Sequence, residues 1–317
     1  MTDTQNEVFK TPVNKIRLFE HGAPGSQNLK LTRKYYTEDM PDGRVKHIVQ
    51  NITDPDIVPY IPDGIGNSTD RQRIPAVLII PGGAFRRLVY NFEGEDVAKW
   101  LNSMGIAAFV LECRLPSDEH DNAEDVPLID AMRAMRVIRG RAQEFGIDEA
   151  KIGVMGFSAG GFMAALLSIA YESDVYADYK YKDEYDKLSA RPDFAVCSYP
   201  VISIDDCIEA GKRYMSEEQV LERISDSKAK ILHKYNPDKL VRPDMPPVFI
   251  CETDDDRTTL SENSVGFYMA ARKAGVSAEL HIFRTGGHGY GCGDDFAQTG
   301  EWKVLFTKWI KSIGIIS

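Results

Sequence analysis

Gly156-Phe157-Ser158-Ala159-Gly160 separates two runs of opposite character, and few folds accept such a junction. Before it, Lys151–Met155 is short, apolar and carries β-branched residues; after it, Gly161–Ala170 is an unbroken small-and-apolar run of good helix formers. The junction therefore reads as a strand-to-helix turn. A serine at the tip of such a turn is held in a strained backbone conformation, tolerable only where its neighbours bring almost no side chain against strand and helix. Gly156 and Gly160 meet that requirement. The geometry raises the Ser158 hydroxyl above the end of a parallel sheet and points the free N–H groups and positive dipole end of the next helix at it. The same pattern also arises by chance, so its meaning depends on its strand, its helix and its partners.

The surrounding chain supplies the sheet. Ala76–Ile80 and Ile106–Leu111 are apolar throughout, as strands buried on both faces must be. Phe194–Tyr199, Val248–Glu252 and Ala278–Phe283 add strands, and helices fit Glu95–Met104, Pro127–Phe145, Glu262–Ala274 and Trp302–Ile313. This alternation predicts an α/β fold, a mostly parallel sheet covered by helices on both faces, with ligands gathering at the carboxyl ends of the strands. Between Arg44 and Tyr60, two β-rich runs parted by Thr53-Asp54-Pro55-Asp56 suggest antiparallel edge strands, and Asp63–Asp70 reads as a polar loop.

No composition break, repeat or Ser/Gly/Pro linker divides the 317 residues, which favours one domain over 1–317. Residues 1–43 form an N-terminal extension, of which 1–30 are expected on the surface. Two stretches break the alternation and are candidate cap insertions: 171–190, rich in Tyr, Asp and Lys, and 205–240. Most of their residues read as solvated surface. The functional alternative is a cap over Ser158 whose tyrosine rings stack on a sugar or an aromatic acyl group.

A serine hydroxyl is a poor nucleophile at neutral pH and needs a base. Of 6 histidines, His288 alone sits in a glycine-rich loop, Thr285-Gly286-Gly287-His288-Gly289-Tyr290-Gly291, directly after an apolar strand. His281 lies inside a strand, where a hydrogen-bonded packing role is expected. His120 lies in the acidic loop Asp118–Asp121, whose four adjacent polar residues lack the spacing that converges on a metal ion. The base needs an acceptor on its second nitrogen. Asp254-Asp255-Asp256 follows the strand Val248–Glu252, and only one of the three can be buried against a histidine, since unpaired carboxylates resist desolvation. For an oxyanion, the Ala159 N–H at the helix start and the small residues of Pro81-Gly82-Gly83-Ala84-Phe85 offer backbone donors. Serine, acid and histidine thus occur in the chain order of the α/β-hydrolases.

A net charge of −10 argues against nucleic acid and anionic membrane as partners, both of which need a basic patch. The 5 cysteines are scattered and lack CxxC spacing, so neither a disulfide framework nor a zinc site is expected. The N-terminus lacks the basic-then-apolar order of a secretion signal, and no apolar run reaches the ~20 residues of a membrane span. The sequence reads as that of a cytoplasmic protein. Its apolar tail Ile313–Ile316 suits either a subunit contact, giving a homo-oligomer, or burial on its own sheet.

Over residues 45–315 the chain resembles the α/β-hydrolases related to acetyl xylan esterases and bacterial feruloyl-esterase-like proteins. The segments that carry the resemblance are PAVLIIPGGAF, NFEGEDVAKWLNSMGIAAFVLECRL, VPLIDAMRAMRVIRGRAQEFGIDEAKIGVMGFSAGG, PDMPPVFICETDDDRTTLSENS and ELHIFRTGGHGYG. It implies Ser158 as nucleophile, His288 as base and Asp256 as acid, with Asp255 the alternative. It further implies Gly83, Ala84 and Ala159 as oxyanion donors, and no metal or organic cofactor. Phe162 stands where the family usually has histidine, Cys113 where tyrosine is usual, Cys251-Glu252 where an aromatic-histidine pair is common, and Ala84 where glycine is usual. The expected reaction is hydrolysis of short acyl esters, acetyl first, of a sugar or similar polar alcohol. A general carboxylesterase or lipase-like hydrolase, and a hydrolase-fold binding or sensor protein without turnover, are the alternatives.

Overall fold

Among the described residues, eight strands form one sheet, whose spatial order is the first, fourth, seventh, fifth, eighth, ninth, tenth and eleventh strands of the chain, and the second, third and sixth form another. The computed structural model describes residues 9, 13–64, 73–213, 215–216, 218–220, 226–293 and 297–317. The main-sheet strands are β1 (Ile16–Arg17), β4 (Asp56–Tyr60), β5 (Ile74–Ile80), β7 (Ala107–Glu112), β8 (Ile147–Phe157), β9 (Ala195–Ser198), β10 (Val248–Thr253) and β11 (Ala278–Phe283). From β7 to β11 neighbouring strands are parallel, whereas β1/β4 and β4/β7 are antiparallel. The central strands β7, β9 and β10 are buried at every residue, which is why they contain almost no alternation.

Helices cover both faces because their apolar stripes have no other place to be buried. They include α1 (Asp96–Ser103), α2 (Val126–Gly140), α3 (Ala142–Phe145), α4 (Ala159–Ala170) and α5 (Ile204–Lys212), followed by Ser261–Lys273 and Ala297–Ser312. α4, with residues 159–169 all buried, is the central helix of the layer. Its lack of a polar face matches the small-and-apolar run that marks it in the sequence.

The structure corrects some expectations and decides others. The two β-rich runs between Arg44 and Tyr60 do not pair with each other. β3 (Val45–Gln50) joins β2 (Lys34–Asp39) and β6 (Leu88–Val89) in the small antiparallel sheet, while β4 joins the main sheet beside β7. Residues 1–30 are not uniformly at the surface: Leu18, Phe19 and Ala23 are each 1% exposed. They are held there by charge as well as packing. Arg114, fully buried, binds Asp130 on α2 at 2.7 Å and reaches back to Ser26 at 2.8 Å. Buried Glu112 takes Lys15 at 2.6 Å and Arg33 at 2.7 Å.

The tyrosines of 171–190, other than the exposed Tyr181, pack against the protein. Tyr176 and Tyr179 pack edge-on against Phe19, at 6.5 and 5.5 Å between ring centroids, and Arg133 of α2 binds Asp183 and Asp186 in the same segment. The apolar tail packs on its own domain, with Ile313, Ile315 and Ile316 against the core and the Ile315 carbonyl accepting from Lys151 Nζ at 3.2 Å. Parts of the Asp63–Asp70 loop and of 205–240 lie outside the described residues.

Candidate active site

Ser158 joins β8 directly to α4 with φ +54° and ψ −118°, a conformation that L-residues rarely adopt. Three backbone bonds hold it: its N–H donates to Ser198 O at 3.0 Å, and its carbonyl accepts from Phe162 and Val201. The flanking glycines are required sterically. A Cβ at Gly156 would run into the Gly160 carbonyl, and one at Gly160 into the Ile80 carbonyl of β5.

The carboxyl ends of β5, β8, β10 and β11 bring the other expected groups to this serine. Ser158 Oγ lies 2.8 Å from His288 Nε2, and His288 Nδ1 lies 2.6 Å from Asp256 Oδ2. Asp256 also accepts from the Thr258 and Thr259 N–H groups at 2.7 and 2.9 Å and from Thr259 Oγ1 at 2.9 Å. Burial alone would raise its pKa, but the hydrogen bond to and charge of His288, with the two backbone donors, outweigh burial and hold the carboxyl below its ordinary range. Asp255 serves the loop instead of the imidazole. It accepts the Gly287 N–H at 2.8 Å and so ties down the segment that carries His288.

On the other side of Ser158, the turn after β5 runs through Gly83 at φ +139° and Ala84 at φ +58°. Among the described residues, neither the N–H groups of Gly83 and Ala84 nor that of Ala159 has a protein acceptor. All three flank the serine. Gly83, Ala84, Ser158 and His288 line one cleft of about 240 Å3. Its outer wall comes from the small sheet, as Met40, Arg44, Lys46 and Arg87; neither 171–190 nor 205–240 contributes a lining residue among those described. Arg87 is paired with Glu38 and Arg44 with Asp42, which fixes both guanidinium groups along that wall. Behind the turn, a void of about 20 Å3 is bounded by Ile80, Phe85, Leu115 and Met163 and reaches Ala159.

The two histidines weighed against His288 have other partners. His281 pairs with Glu279 at 2.7 Å on β11, and His120 is buried beside Ser26 at 3.0 Å, where burial and the Arg114 charge push its pKa down to about 4. No group of three His, Cys, Asp or Glu residues with metal-holding geometry occurs among the described residues.

The positions that depart from the family pattern are packed inward, except Ala84, which is exposed in the cleft. Phe162 is fully buried edge-on to Phe85 at 5.5 Å, Cys113 borders the small void, and Cys251 Sγ lies 3.2 Å from Ser198 Oγ. Glu252 caps its own strand end, accepting from Thr253 N and Ser264 Oγ, and burial drives its pKa well up.

Sequence reasoning missed Glu93 and Tyr199. Glu93 lies on the approach to a helix, but Asn91–Glu95 forms a π-helical turn that swings its carboxyl inward to the Gly82 N–H at 2.8 Å. Burial raises its pKa, opposed by His288 and by the hydrogen bonds from Tyr199 and Gly82. Nothing in NFEGED marks that turn in advance.

A parallel sheet of this order, a strained serine between strand and helix, and a serine–histidine–aspartate chain together define an α/β-hydrolase. The family model described as BD-FAE matches residues 65–270, and the chain belongs to that family. It is 34% identical to the acetyl ester-xyloside bifunctional hydrolase of Caldicellulosiruptor lactoaceticus, with a TM-score of 0.72 over 96% of this chain and 97% of that one. It is 30% identical over 240 residues to an acetylxylan esterase of Xylanibacter ruminicola, a match spanning 75% of this chain and 45% of the relative. An endo-1,4-beta-xylanase B of Butyrivibrio fibrisolvens is 31% identical over 227 residues, 71% of this chain and 34% of that protein. The chain thus spans less than half the length of these two curated relatives. A thermophilic esterase of Thermogutta terrifontis, 24% identical with a TM-score of 0.64 over 93% of this chain and 96% of that one, shares the fold.

Proposed function

We propose that the protein is a serine esterase that removes short acyl groups, acetyl above all, from carbohydrates or similar polar alcohols. The observation that carries the reading is the relay Ser158 Oγ to His288 Nε2 at 2.8 Å and His288 Nδ1 to Asp256 at 2.6 Å. In this mechanism His288 takes the Ser158 proton as Oγ attacks the ester carbonyl, and the resulting oxyanion is met by the N–H groups of Gly83, Ala84 and Ala159. His288 then gives the proton to the departing alkoxide, and the acyl group remains on Ser158. Water, deprotonated by the same imidazole, attacks the acyl carbonyl; collapse releases the carboxylic acid and restores the Ser158 hydroxyl. Asp256 holds the imidazole tautomer and balances the charge of the imidazolium.

Two features support the acyl and alcohol assignments. The void of about 20 Å3 next to Ala159 has room for little more than a methyl group. Arg44, Lys46 and Arg87, which line the cleft beside Met40, Val89 and Phe92, offer donors to a hydroxyl-rich alcohol. The names of the acetylxylan esterase and the acetyl ester-xyloside hydrolase point the same way.

The test compares acetyl, butyryl and feruloyl esters of simple and sugar alcohols. Acetylated sugars should be hydrolysed with the highest kcat/KM, and Ser158→Ala should lower kcat by roughly 10⁵–10⁶-fold. Faster turnover of longer acyl chains defeats the acetyl assignment, and indifference to the sugar makes the enzyme a general carboxylesterase. A folded protein whose Ser158 fails to react with an active-site phosphonate is not a serine hydrolase.

A further inference from the structure

The turn that bears the oxyanion donors and the loop that bears His288 are joined beside Ser158 by a nearly buried carboxyl on the cleft lining, Glu93, and a buried phenol, Tyr199. Glu93 Oε2 accepts the Gly82 N–H at 2.8 Å, and Glu93 Oε1 accepts the Tyr199 O–H at 2.9 Å. Tyr199 Oη in turn accepts the Gly291 N–H at 3.1 Å. Gly82 immediately precedes Gly83 and Ala84, and Gly291 lies on the histidine loop just beyond His288. One relay of three hydrogen bonds therefore spans from the donor turn to the base.

Each member is held so that it has little room to drift. Glu93 is 5% exposed and Tyr199 fully buried. A Cβ placed on Gly82 would sit 2.7 Å from Glu93 Oε2 and 2.9 Å from Ser158 Cβ, so carboxyl, turn and serine form one close-packed stack. Tyr199 takes a positive φ of 37°, with its N–H on Cys251 O at 2.7 Å and its carbonyl accepting from Thr259 Oγ1 at 3.4 Å, the threonine that also binds Asp256. Its ring stands edge-on to the His288 imidazole, 5.0 Å between centroids. A buried carboxyl is costly to keep where an apolar side chain would fill the same space. The Gly82 N–H and the Tyr199 hydroxyl, which converge on it, give the reason for it.

We propose that Glu93 and Tyr199 are a coupled pair of positioning residues that locks the oxyanion turn and the histidine loop in mutual register. The inference rests on the esterase reading of Ser158 and His288. Donors aimed at the oxyanion act in the transition state, so disturbing their aim lowers kcat and leaves KM nearly unchanged. Removing a whole donor costs about 10²–10³-fold, and tilting the turn that carries two of them should cost roughly 10–100-fold.

The variants are Tyr199→Phe, which keeps the ring and removes the shared hydroxyl, Glu93→Gln, which keeps one acceptor for Gly82, and the double variant. Each is assayed with an acetyl ester for kcat and KM, at a temperature well below its melting point, and for phosphonate labelling of Ser158. The expected result is a fall of roughly 10–100-fold in kcat for each single variant, KM within about twofold, and a double variant little worse than the more impaired single one, the non-additivity of residues acting as a unit. Folded Tyr199→Phe with wild-type kcat overturns the proposal even where Glu93→Gln fails to fold. So do losses that multiply independently in the double variant, or a lowered melting point with kcat unchanged. Wild-type protein that neither hydrolyses the ester nor labels at Ser158 removes the esterase reading itself, a different outcome from any of these.

Discussion

Asp256 and Glu93 are both buried carboxyl groups, 4% and 5% exposed, on opposite sides of the Ser158–His288 pair, yet their environments drive them apart. Burial is the largest influence on each. At Asp256 it is outweighed by the imidazole of His288 and the N–H groups of Thr258 and Thr259, and the pKa falls. At Glu93, the Tyr199 hydroxyl, the Gly82 N–H and the more distant His288 charge do not offset it, and the pKa rises. Exposure is nearly equal at the two sites, but Glu93 is the more deeply enclosed. Enclosure together with the number and charge of the donors decides which carboxyl is held below its ordinary range and which above it.

The largest expected contrast is catalytic. Asp256→Asn should lower kcat by roughly 10⁴-fold, because the amide favours the wrong imidazole tautomer, whereas Asp255→Asn, which disturbs only the Gly287 contact, should cost no more than about 10-fold. Steady-state kinetics on an acetyl ester measures both. A loss at Asp256 no larger than that expected for Glu93→Gln would erase the distinction between the two carboxyls, and a larger loss at Asp255 would exchange the two aspartates.

A second contrast is in the direction of pH dependence. The Asp256 pKa is depressed, so its contribution to stability is present above the unfolded value of 3.8 and is lost as pH falls through the folded value. The Glu93 pKa is raised, so its contribution is fully present below 4.5 and is lost as pH rises through its folded value. Thermal melting across the acid range should therefore show wild type gaining on Asp256→Asn as pH rises toward 3.8. Glu93→Gln should gain on wild type as pH rises above 4.5. Slopes of the same sign would break the comparison.

The smallest effect concerns backbone strain in the turn that Glu93 holds. Ala84, exposed at φ +58°, occupies a conformation that glycine adopts without steric cost. Ala84→Gly should raise stability by up to about 1 kcal/mol in thermal denaturation. An unchanged or lowered melting point would mean that the hydrogen bonds at Gly82 and Gly83 already absorb the strain.

The parts of the site that are legible in the sequence are those where backbone geometry leaves few choices of residue. Only glycine fits at 156 and 160, and the fully buried strands can hold little but apolar residues, so elbow and sheet can be read together. His288 is marked by the glycines around it. The choice between Asp255 and Asp256 is not available from residue chemistry, since both are aspartates after the same strand and differ only in which way the turn Thr253–Thr259 points them. The small sheet escapes notice because β6 is two residues long and β2 carries Lys, Glu and Asp. The tyrosines of 171–190 are ambiguous in the sequence, since rings that stack on a ligand and rings that pack on Phe19 have the same composition. Glu93 is hidden by a local change of helical pitch, which periodicity does not register.

The β2–β3 hairpin gives the cleft a separable front. Met40, Arg44 and Lys46 come from this one ribbon, which pairs with β6 and is tied to the Asn91–Glu95 turn through the Asn91 side chain, donor to the Val45 carbonyl and acceptor of the His47 N–H. Sequence drift at the cleft-facing side chains of the ribbon can therefore reshape the entrance, while the bonds through Asn91 keep its backbone tied to the turn that carries Glu93. In such an architecture, selectivity and chemistry are free to evolve at different rates.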